Sequence, residues 1–222
     1  MPTGMILLLI VAALVYFGVA HRILDRMRLT DAQALVFIGL MIAGSFIDIP
    51  IMRGEIETSI NVGGALIPLA LAIYLFSKSD SSAEKIRSVV ASLVTAAAIF
   101  AVSIFMNFEP ANAIIDPIWL FGLIGGVVGY LSGRSRRAAF IAGTVGIIIN
   151  DVVNLIRAVS MKMPATVAIG GAGIFDTIVL SGLIAVALAE LVGETRERIQ
   201  GGPENEDRTE MDLVQFNEEG DD

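Results

Sequence analysis

Residues 169–180 read IGGAGIFDTIVL, which sets three glycines and one carboxylate inside an otherwise apolar run. An ionised aspartate in the middle of a bilayer costs at least about 2.5 kcal/mol on insertion scales, so Asp176 needs a compensating partner. Glycines let helices approach closely or let a helix unwind locally. The segment therefore indicates either tight packing or a ligand site around Asp176, and both interpretations stay open at this point.

The whole chain has the composition of a membrane protein with several spans. Of its 222 residues, 55% are hydrophobic and 17% are charged, which is too apolar for one soluble domain. Helices of about 17 to 25 apolar residues can cross a bilayer. Seven runs approach that length: residues 4–20, 33–52, 60–76, 88–107, 117–132, 138–157 and 166–192. We therefore predict an all-α bundle of about seven transmembrane helices over residues 1–192.

The last segment, residues 193–222, differs sharply in composition because it carries 11 acidic residues and three arginines. So few apolar residues cannot offset the entropy of ordering, and the segment is predicted to be a disordered acidic tail. The tail either is simply solvated or binds a protein partner through Leu213, Val214 and Phe216. An acidic tail also argues against a nucleic-acid partner. The absence of cysteine excludes disulfides and thiol chemistry.

The basic residues predict the orientation of the spans. Twelve Lys and Arg lie in the odd-numbered connections and the tail, whereas only Arg53, Arg157 and Lys162 lie in the even-numbered connections. Basic residues accumulate on the cytoplasmic side of membrane proteins. The pattern predicts a multi-pass protein of the cell membrane, with its N-terminus outside and its tail in the cytoplasm.

Two segments of the chain resemble two others. Residues 37–48 read FIGLMIAGSFID and residues 140–151 read FIAGTVGIIIND, while NVGGA at 61–65 resembles AIGGA at 168–172. The spacing predicts that spans one to three and five to seven are parallel three-helix repeats around a linker helix, as in some transporters. Chance similarity among apolar residues is the alternative.

Polar residues and glycines cluster in the outer half of the predicted spans, which indicates a site reached from outside. Asp48 is either a residue of this site or a structural residue that pairs with Arg53 or ends a helix. With a single histidine and no phosphate-binding loop, the sequence predicts no cofactor and no conventional metal centre. The candidate substrate-binding or ion-binding residues are Asp48, Asn61, Asn150, Asp151, Asn154, Asp176, Gly170, Gly171 and Gly173.

Three motifs carry a resemblance to a known family: GSFIDIPI at 44–51, NVGGALIP at 61–68 and GGAGIFDTIVLSG at 170–182. Together they resemble the membrane protein family known as domain of unknown function 1614. The resemblance implies a membrane protein in which these motifs matter, and it implies no activity.

A second resemblance is to presenilin-type and prepilin-peptidase-type intramembrane aspartyl proteases. It implies that Asp151 and Asp176 are a catalytic pair, since two adjacent carboxylates can act as acid and base. The sequence departs from that pattern, because Asn150 replaces the tyrosine of presenilins and two residues separate the last glycine from Asp176.

Three functions follow from the sequence. The first is a small transporter or a membrane protein that binds a cation or a small polar solute. The second is an intramembrane aspartyl protease that uses Asp151 and Asp176. The third is a membrane scaffold whose acidic tail binds a partner protein.

Overall fold

The structure is a computed structural model that describes Ala13 and residues 27–105, 117–133, 135–173 and 176–199. The chain divides into two compact units, Met1–Glu190 and Leu191–Asp222. The first predicted span and most of the acidic tail fall outside the described residues, so the expectations for both remain predictions.

The described part of the chain is mostly helical, which confirms the helical character predicted from composition. It also contains three short strands, which the sequence analysis did not predict. The helices are α1 (Asp31–Gly44), α2 (Ile67–Ser77), α3 (Ser82–Phe105), α4 (Pro117–Gly133), α5 (Arg136–Met161) and α6 (Thr177–Ile199). The strands are β1 (Asp48–Met52), β2 (Ile56–Asn61) and β3 (Ala165–Ile169), and a π-helical turn (Val62–Leu66) joins β2 to α2.

Local sequence explains where two of these helices begin. Thr30 and Gln33 form a capping box at the start of α1, in which each side chain accepts a hydrogen bond from the other residue's backbone N–H. Ser135 caps α5 by accepting a hydrogen bond of 3.1 Å from the Ala138 N–H. Such caps satisfy N–H groups that have no partner inside the helix.

Two described helices, Ser82–Ile104 and Arg136–Met161, are long and apolar enough to cross a membrane. The other apolar helices of the described residues span 10–17 residues each: Asp31–Gly44, Val62–Ser77, Leu120–Ser132 and Thr177–Gly193. Two long apolar helices are weak support for membrane association, because a buried helix of a soluble protein has the same length and composition. The predicted bundle of seven transmembrane helices is therefore not confirmed.

Two predicted spans are wrong as continuous helices. The run at 33–52 leaves helical structure after Gly44 and ends as β1, and the run at 166–192 contains most of β3 and a glycine-rich turn. The run at 60–76 is helical from Val62 onward, after the last two residues of β2. Pro50 has no N–H to donate, which suits an edge strand such as β1. Short apolar runs also do not distinguish strand from helix by periodicity.

The three strands form one sheet in the order β1-β2-β3. β1 is antiparallel to β2 and places Asp48 opposite Asn61, whereas β3 is parallel to β2 and places Ile169 opposite Ile60. Both β2 and β3 contact α5. The parallel pairing sets the end of β2 beside the end of β3, so that the two glycine-containing segments which follow them are neighbours.

Helix α5 is the centre of the helical packing, since α2, α3 and α4 all contact it. Glycines allow α6 to approach the other helices. A Cβ built on Gly122 would lie 2.7 Å from Leu180, and one built on Gly126 would lie 2.6 Å from the Cβ of Ile184. Side chains of α6 thus occupy the space that larger residues on α4 would fill.

The two motifs that indicated an internal repeat differ in part. Asp48 begins a strand, because α1 has already ended, whereas Asp151 lies inside the continuous helix α5. The second pair of motifs is more alike, since NVGGA begins at the last residue of β2 and AIGGA at the last two residues of β3. The superposition of the two three-helix sets stays a prediction.

Candidate functional site

The carboxylate of Asp176 lies immediately before α6 and accepts two backbone hydrogen bonds. Its Oδ1 accepts from the Ile178 N–H at 3.0 Å, and its Oδ2 accepts from the Ala172 N–H at 3.2 Å. A carboxylate at a helix N-terminus is stabilised by free N–H groups and by the positive end of the helix dipole. These groups are the compensating partners that an aspartate in an apolar run requires.

The segment before it, residues 170–173, is called the glycine loop here. Gly170 has a φ of 68° and Gly173 a φ of 63°, which are left-handed conformations that favour glycine. The Gly173 N–H donates to the Gly170 carbonyl oxygen at 2.8 Å, and the Asp176 N–H donates to the Gly173 carbonyl oxygen at 3.0 Å. Gly171 is exposed, and a Cβ built there would lie 2.5 Å from the Cβ of Ala168. The loop is thus a tight turn that fixes Asp176.

Asn61 connects three segments on the other side of the glycine loop. Its side chain is 1% exposed. Its Oδ1 accepts from the Gly64 N–H at 2.8 Å, and its Nδ2 donates to the Ser45 carbonyl oxygen and to Asp48 Oδ1, both at 3.0 Å. Asn61 therefore holds the end of α1, the start of β1 and the π-helical turn together. No ion pair joins Asp48 to Arg53, both of which the structure describes.

The π-helical turn and the glycine loop pack backbone against backbone. A Cβ built on Gly64 would lie 2.6 Å from the Gly173 carbonyl oxygen and nearer still to that of Gly170. A Cβ built on Gly173 would lie 2.9 Å from the Cβ of Ser45. Asn61 precedes one of these two segments and Asp176 follows the other. The contact therefore brings these two predicted site residues, which are far apart in the sequence, into one region.

Helices α5 and α6 run antiparallel to each other. Arg136 at the start of α5 pairs with Glu190 on α6. Further along, the Ser181 hydroxyl donates to the Gly143 carbonyl oxygen at 3.0 Å. The residue number therefore rises along α5 while it falls along the facing side of α6.

This arrangement brings Asp151 and Asp176 to similar height. A Cβ on Gly182 of α6 would lie 2.5 Å from Thr144 Oγ1 of α5. From that contact, Asp151 is seven residues on and Asp176 is six residues back, or about 10.5 Å and about 9 Å along their helices. The structure thus sets the two carboxylates that the sequence analysis paired at similar height along the neighbouring helices α5 and α6.

Asn150, next to Asp151, carries the polar atom in this region that lacks a partner. Asn150 is only 7% exposed. Its Oδ1 is buried and accepts no hydrogen bond from the described residues. A buried acceptor without a partner costs about 1–3 kcal/mol. The other buried side-chain oxygens without partners in the described residues are the hydroxyls of Thr58, Thr95 and Thr144.

The remaining candidate, Asn154, lies one helical turn beyond Asn150 on α5 and is half-buried. Within the described residues, no three His, Asp or Glu side chains cluster closely enough to hold a metal ion together. The side chains that the candidate site offers are therefore the carboxylates of Asp151 and Asp176 and the amides of Asn150 and Asn154.

An ion-pair network at the opposite end of α5 was missed by the sequence analysis. The Arg137 guanidinium is 9% exposed and donates to the Lys78 carbonyl oxygen at 2.7 Å, to Asp80 and to Glu84. Asp80 also pairs with Arg28. The hydrogen bond from Arg137 holds the pKa of Asp80 below its ordinary value. The available signal was the pair of acidic residues, Asp80 and Glu84, in a connection that is otherwise basic.

The cap formed by Asp176 leads to a first prediction. Asp176→Ala removes both accepted hydrogen bonds and should lower the free energy of unfolding by about 1–2 kcal/mol. Asp176→Asn keeps one oxygen for the Ile178 N–H and should cost less, because Asn and Asp cap helices equally well. Thermal unfolding of the two purified variants measures the difference. Equal stability of Asp176→Ala and the wild type would show that the cap contributes nothing.

Comparison with known proteins gives one match. A family model described as a protein of unknown function (DUF1614) matches residues 23–188. This range includes the glycine loop, Asn61, Asn150 and the ion-pair network around Arg137. No curated protein and no solved structure matches the chain, so the resemblance to intramembrane aspartyl proteases is not shown.

Proposed function

Because the chain belongs to the DUF1614 family, whose description gives no function, we propose from the geometry of the site that it is an integral membrane protein which binds a cation or a small polar solute. The binding site consists of Asn150, Asp151 and Asp176, and it opens to the outer side of the membrane. A small transporter is the form of this function that the residues support best.

The observation that carries the proposal is the pair formed by Asn150 and Asp151. Asn150 Oδ1 is a buried acceptor without a partner, and it is adjacent in sequence to a carboxylate on the same helix. Two oxygen acceptors in one place favour a ligand that carries positive charge or hydrogen-bond donors. Hard cations prefer carboxylate and amide oxygens as ligands. Such a ligand would satisfy Asn150 Oδ1 and balance the charge of Asp151.

Asp176 has a different part in this site. Its two oxygens already accept backbone hydrogen bonds, and each retains further acceptor capacity. The dipole of α6 offsets part of its charge. Asp176 therefore adds negative potential from a fixed position. Asp151 and Asn150 supply the oxygen atoms that would bind the ligand directly.

The exposure of α3 supports the placement in a membrane. This helix has a highly apolar window of 18 residues, of which only 33% is buried. A core helix of a soluble protein would be buried over most of such a window. Its outward residues include Ile86, Val89, Val90, Leu93 and Val94. A contiguous apolar surface of this kind is typical of contact with lipid.

The separation between the site and the ion-pair network supports an outer location. Arg137 and Asp151 lie 14 residues apart on α5, a distance of about 21 Å along the helix. Arg28 and Arg137, which the distribution of basic residues predicts to be cytoplasmic, both pair with Asp80 at the far end from Asp151. The acidic site then faces the outer half of the membrane.

The aspartyl protease is the second candidate, and the similar height of Asp151 and Asp176 along α5 and α6 is the observation that favours it. Such enzymes need two carboxylates that share a proton and hold one water molecule. Asp176 is less suited to that role because both of its oxygens hold backbone N–H groups. The scaffold function depends on the acidic tail and gains no support from the site.

The test is a thermal-unfolding screen of the full chain in detergent against monovalent cations, divalent cations and small polar solutes. A ligand at about 100 times its Kd stabilises a protein by about 2.7 kcal/mol, or roughly 5–10 °C for a chain of this length. We expect one class of cation to give such a shift, and we expect Asp151→Asn and Asn150→Ala to abolish it.

Glu55→Gln is the matched control, because Glu55 is an exposed carboxylate in the β1–β2 turn. It should leave the shift unchanged. A shift that survives Asp151→Asn would contradict the site. Stabilisation by a hydroxyl-containing aspartyl protease inhibitor, without any effect of cations or solutes, would favour the protease instead.

A further inference from the structure

A groove runs between α2 and α3, with α5 as its floor. It encloses a cavity of about 230 Å³. Leu69, Ile73 and Phe76 form the wall on α2, and Val89 and Leu93 form part of the wall on α3. The floor is a stripe of α5 residues at every fourth position, Ile141, Val145 and Ile149. This stripe is about 12 Å long at the rise of an α-helix.

The groove is almost entirely apolar. Ser92 is the polar residue among those that line it, and its hydroxyl is occupied because it donates to the Ser88 carbonyl oxygen at 2.8 Å. Water molecules need two to four polar partners to be held in a cavity. The groove therefore offers a surface to hydrocarbon and little to water. It also opens onto exposed apolar residues, with Ile73 60% and Leu93 55% exposed.

One end of the groove carries a positive charge. The Lys85 ammonium lies 5.8 Å from the centroid of the Phe76 ring, and Phe76 lines the groove. Lys85 also precedes Val89 by one helical turn on α3, so it sits above the same wall. No carboxylate forms an ion pair with Lys85 within the described residues. The end of the groove thus combines an unneutralised cation with an apolar channel.

We propose that this groove binds an anionic phospholipid, with one acyl chain between α2 and α3 and the phosphate on Lys85. The proposal rests on the membrane placement given above but not on the cation site. The charge complementarity selects an anionic over a zwitterionic lipid, because basic residues near a membrane surface attract anionic headgroups. Lysine suits this position, since its stem can follow apolar surface while its ammonium reaches the headgroup.

The apolar lining with one basic residue at its end matches a single acyl chain attached to an anionic headgroup. Bound lipid would also cover the exposed parts of Ile73 and Leu93 without requiring a second protein. The groove is separate from the cation site, since none of its lining residues is Asn150, Asp151 or Asp176.

Native mass spectrometry of the full chain, purified in detergent and mixed with phosphatidylglycerol or phosphatidylcholine, tests the proposal. We expect one phosphatidylglycerol to be retained, and phosphatidylcholine to be retained about fivefold less, which is the contribution of one basic residue near a membrane surface. Lys85→Gln should remove this preference, and Val89→Phe should fill the groove and reduce retention of both lipids.

Two neighbouring residues provide matched controls. Val90→Phe adds the same ring one residue along α3, at a position 52% exposed that does not line the groove, whereas Val89 is 49% exposed. Arg87→Gln removes an exposed charge from the same turn of α3. Both controls should retain phosphatidylglycerol as the wild type does. Equal retention of the two lipids by the wild type, or equal losses in Val89→Phe and Val90→Phe, would overturn the proposal.

Failure of the lipid experiment is distinguishable from failure of the proposed function. If the wild type shows no preference between the two lipids but does show a cation-dependent thermal shift, the lipid site alone is overturned. Recovery of the full chain in the soluble fraction without detergent would overturn both, because the membrane placement would be wrong.

Discussion

Gly64→Ala should be the most destabilising single substitution in the chain's described core. The added Cβ would lie 2.6 Å from the Gly173 carbonyl oxygen and closer to that of Gly170, and both obstacles are backbone atoms. Neither can move aside without disturbing the parallel pairing of β2 with β3. Overpacking costs about 1–3 kcal/mol where the neighbours can adjust and more where they cannot. We therefore expect a loss of at least about 3 kcal/mol, which is a large part of the stability of a typical domain.

Gly39→Ala is the control for this prediction. Gly39 lies inside α1, and a Cβ built there meets nothing within 4 Å. Alanine is favoured over glycine inside a helix by up to about 1 kcal/mol, so this variant should be as stable as the wild type or more so. Yield after size-exclusion chromatography and thermal unfolding measure both variants. Wild-type yield and melting temperature for Gly64→Ala would show that the two glycine segments do not pack as described.

Arg137→Met should be the second most damaging substitution. The Arg137 side chain is 9% exposed and the side chain of its partner Glu84 is 11% exposed. Removing one partner of a buried ion pair typically costs 3–5 kcal/mol, because the other charge remains buried without compensation. Asp80, whose side chain is 48% exposed, should contribute less. We expect a loss of about 3 kcal/mol in the free energy of unfolding.

Two further measurements identify the cause of this loss. Glu84→Gln added to Arg137→Met should restore part of the stability, because it removes the uncompensated charge. Arg87→Met, at an exposed position on the same side of the bundle, should change stability little. If the double variant is less stable than Arg137→Met alone, the ion pair is not the source of the loss.

The response to acid follows from the pKa of Asp80. Its pKa is lowered in the folded protein by the hydrogen bond from Arg137. A lowered folded pKa contributes stability that is present above the ordinary value of 3.8 and is lost as the pH falls through the folded value. Wild type should therefore lose this contribution in acid, whereas Arg137→Met has already lost most of it.

The sequence predicted long helices best where the apolar run was long and uninterrupted. The described part of the run at 88–107 and the whole run at 138–157 lie inside α3 and α5. The runs that contain β1 and β3 were wrong as continuous helices because segments of about five residues satisfy both helical and strand patterns. Pro50 and the glycines after Asn61 and Ile169 were the local signals of a break. Their effect depends on strand pairing between distant segments, which one sequence does not reveal.

In the candidate site, too, some features follow from local sequence and others only from the fold. Residue type and depth predicted that Asp151 and Asp176 lie at similar height, because both are carboxylates in apolar runs, and their pairing stays a prediction. The cap made by Asp176 depends on the backbone conformation of the glycine loop, and the unpaired oxygen of Asn150 depends on which groups fail to reach it. Arg137 and Asp80 are 57 residues apart in the sequence, so their ion pair follows only from the fold.

The parallel pairing of β2 with β3 also constrains how the protein can move. The strands connect directly to the π-helical turn before α2 and to the glycine loop before α6, and those two segments touch through backbone atoms. The entrances of α2 and α6 are therefore mechanically coupled. A conformational change that opened the acidic site would have to move both helix entrances together.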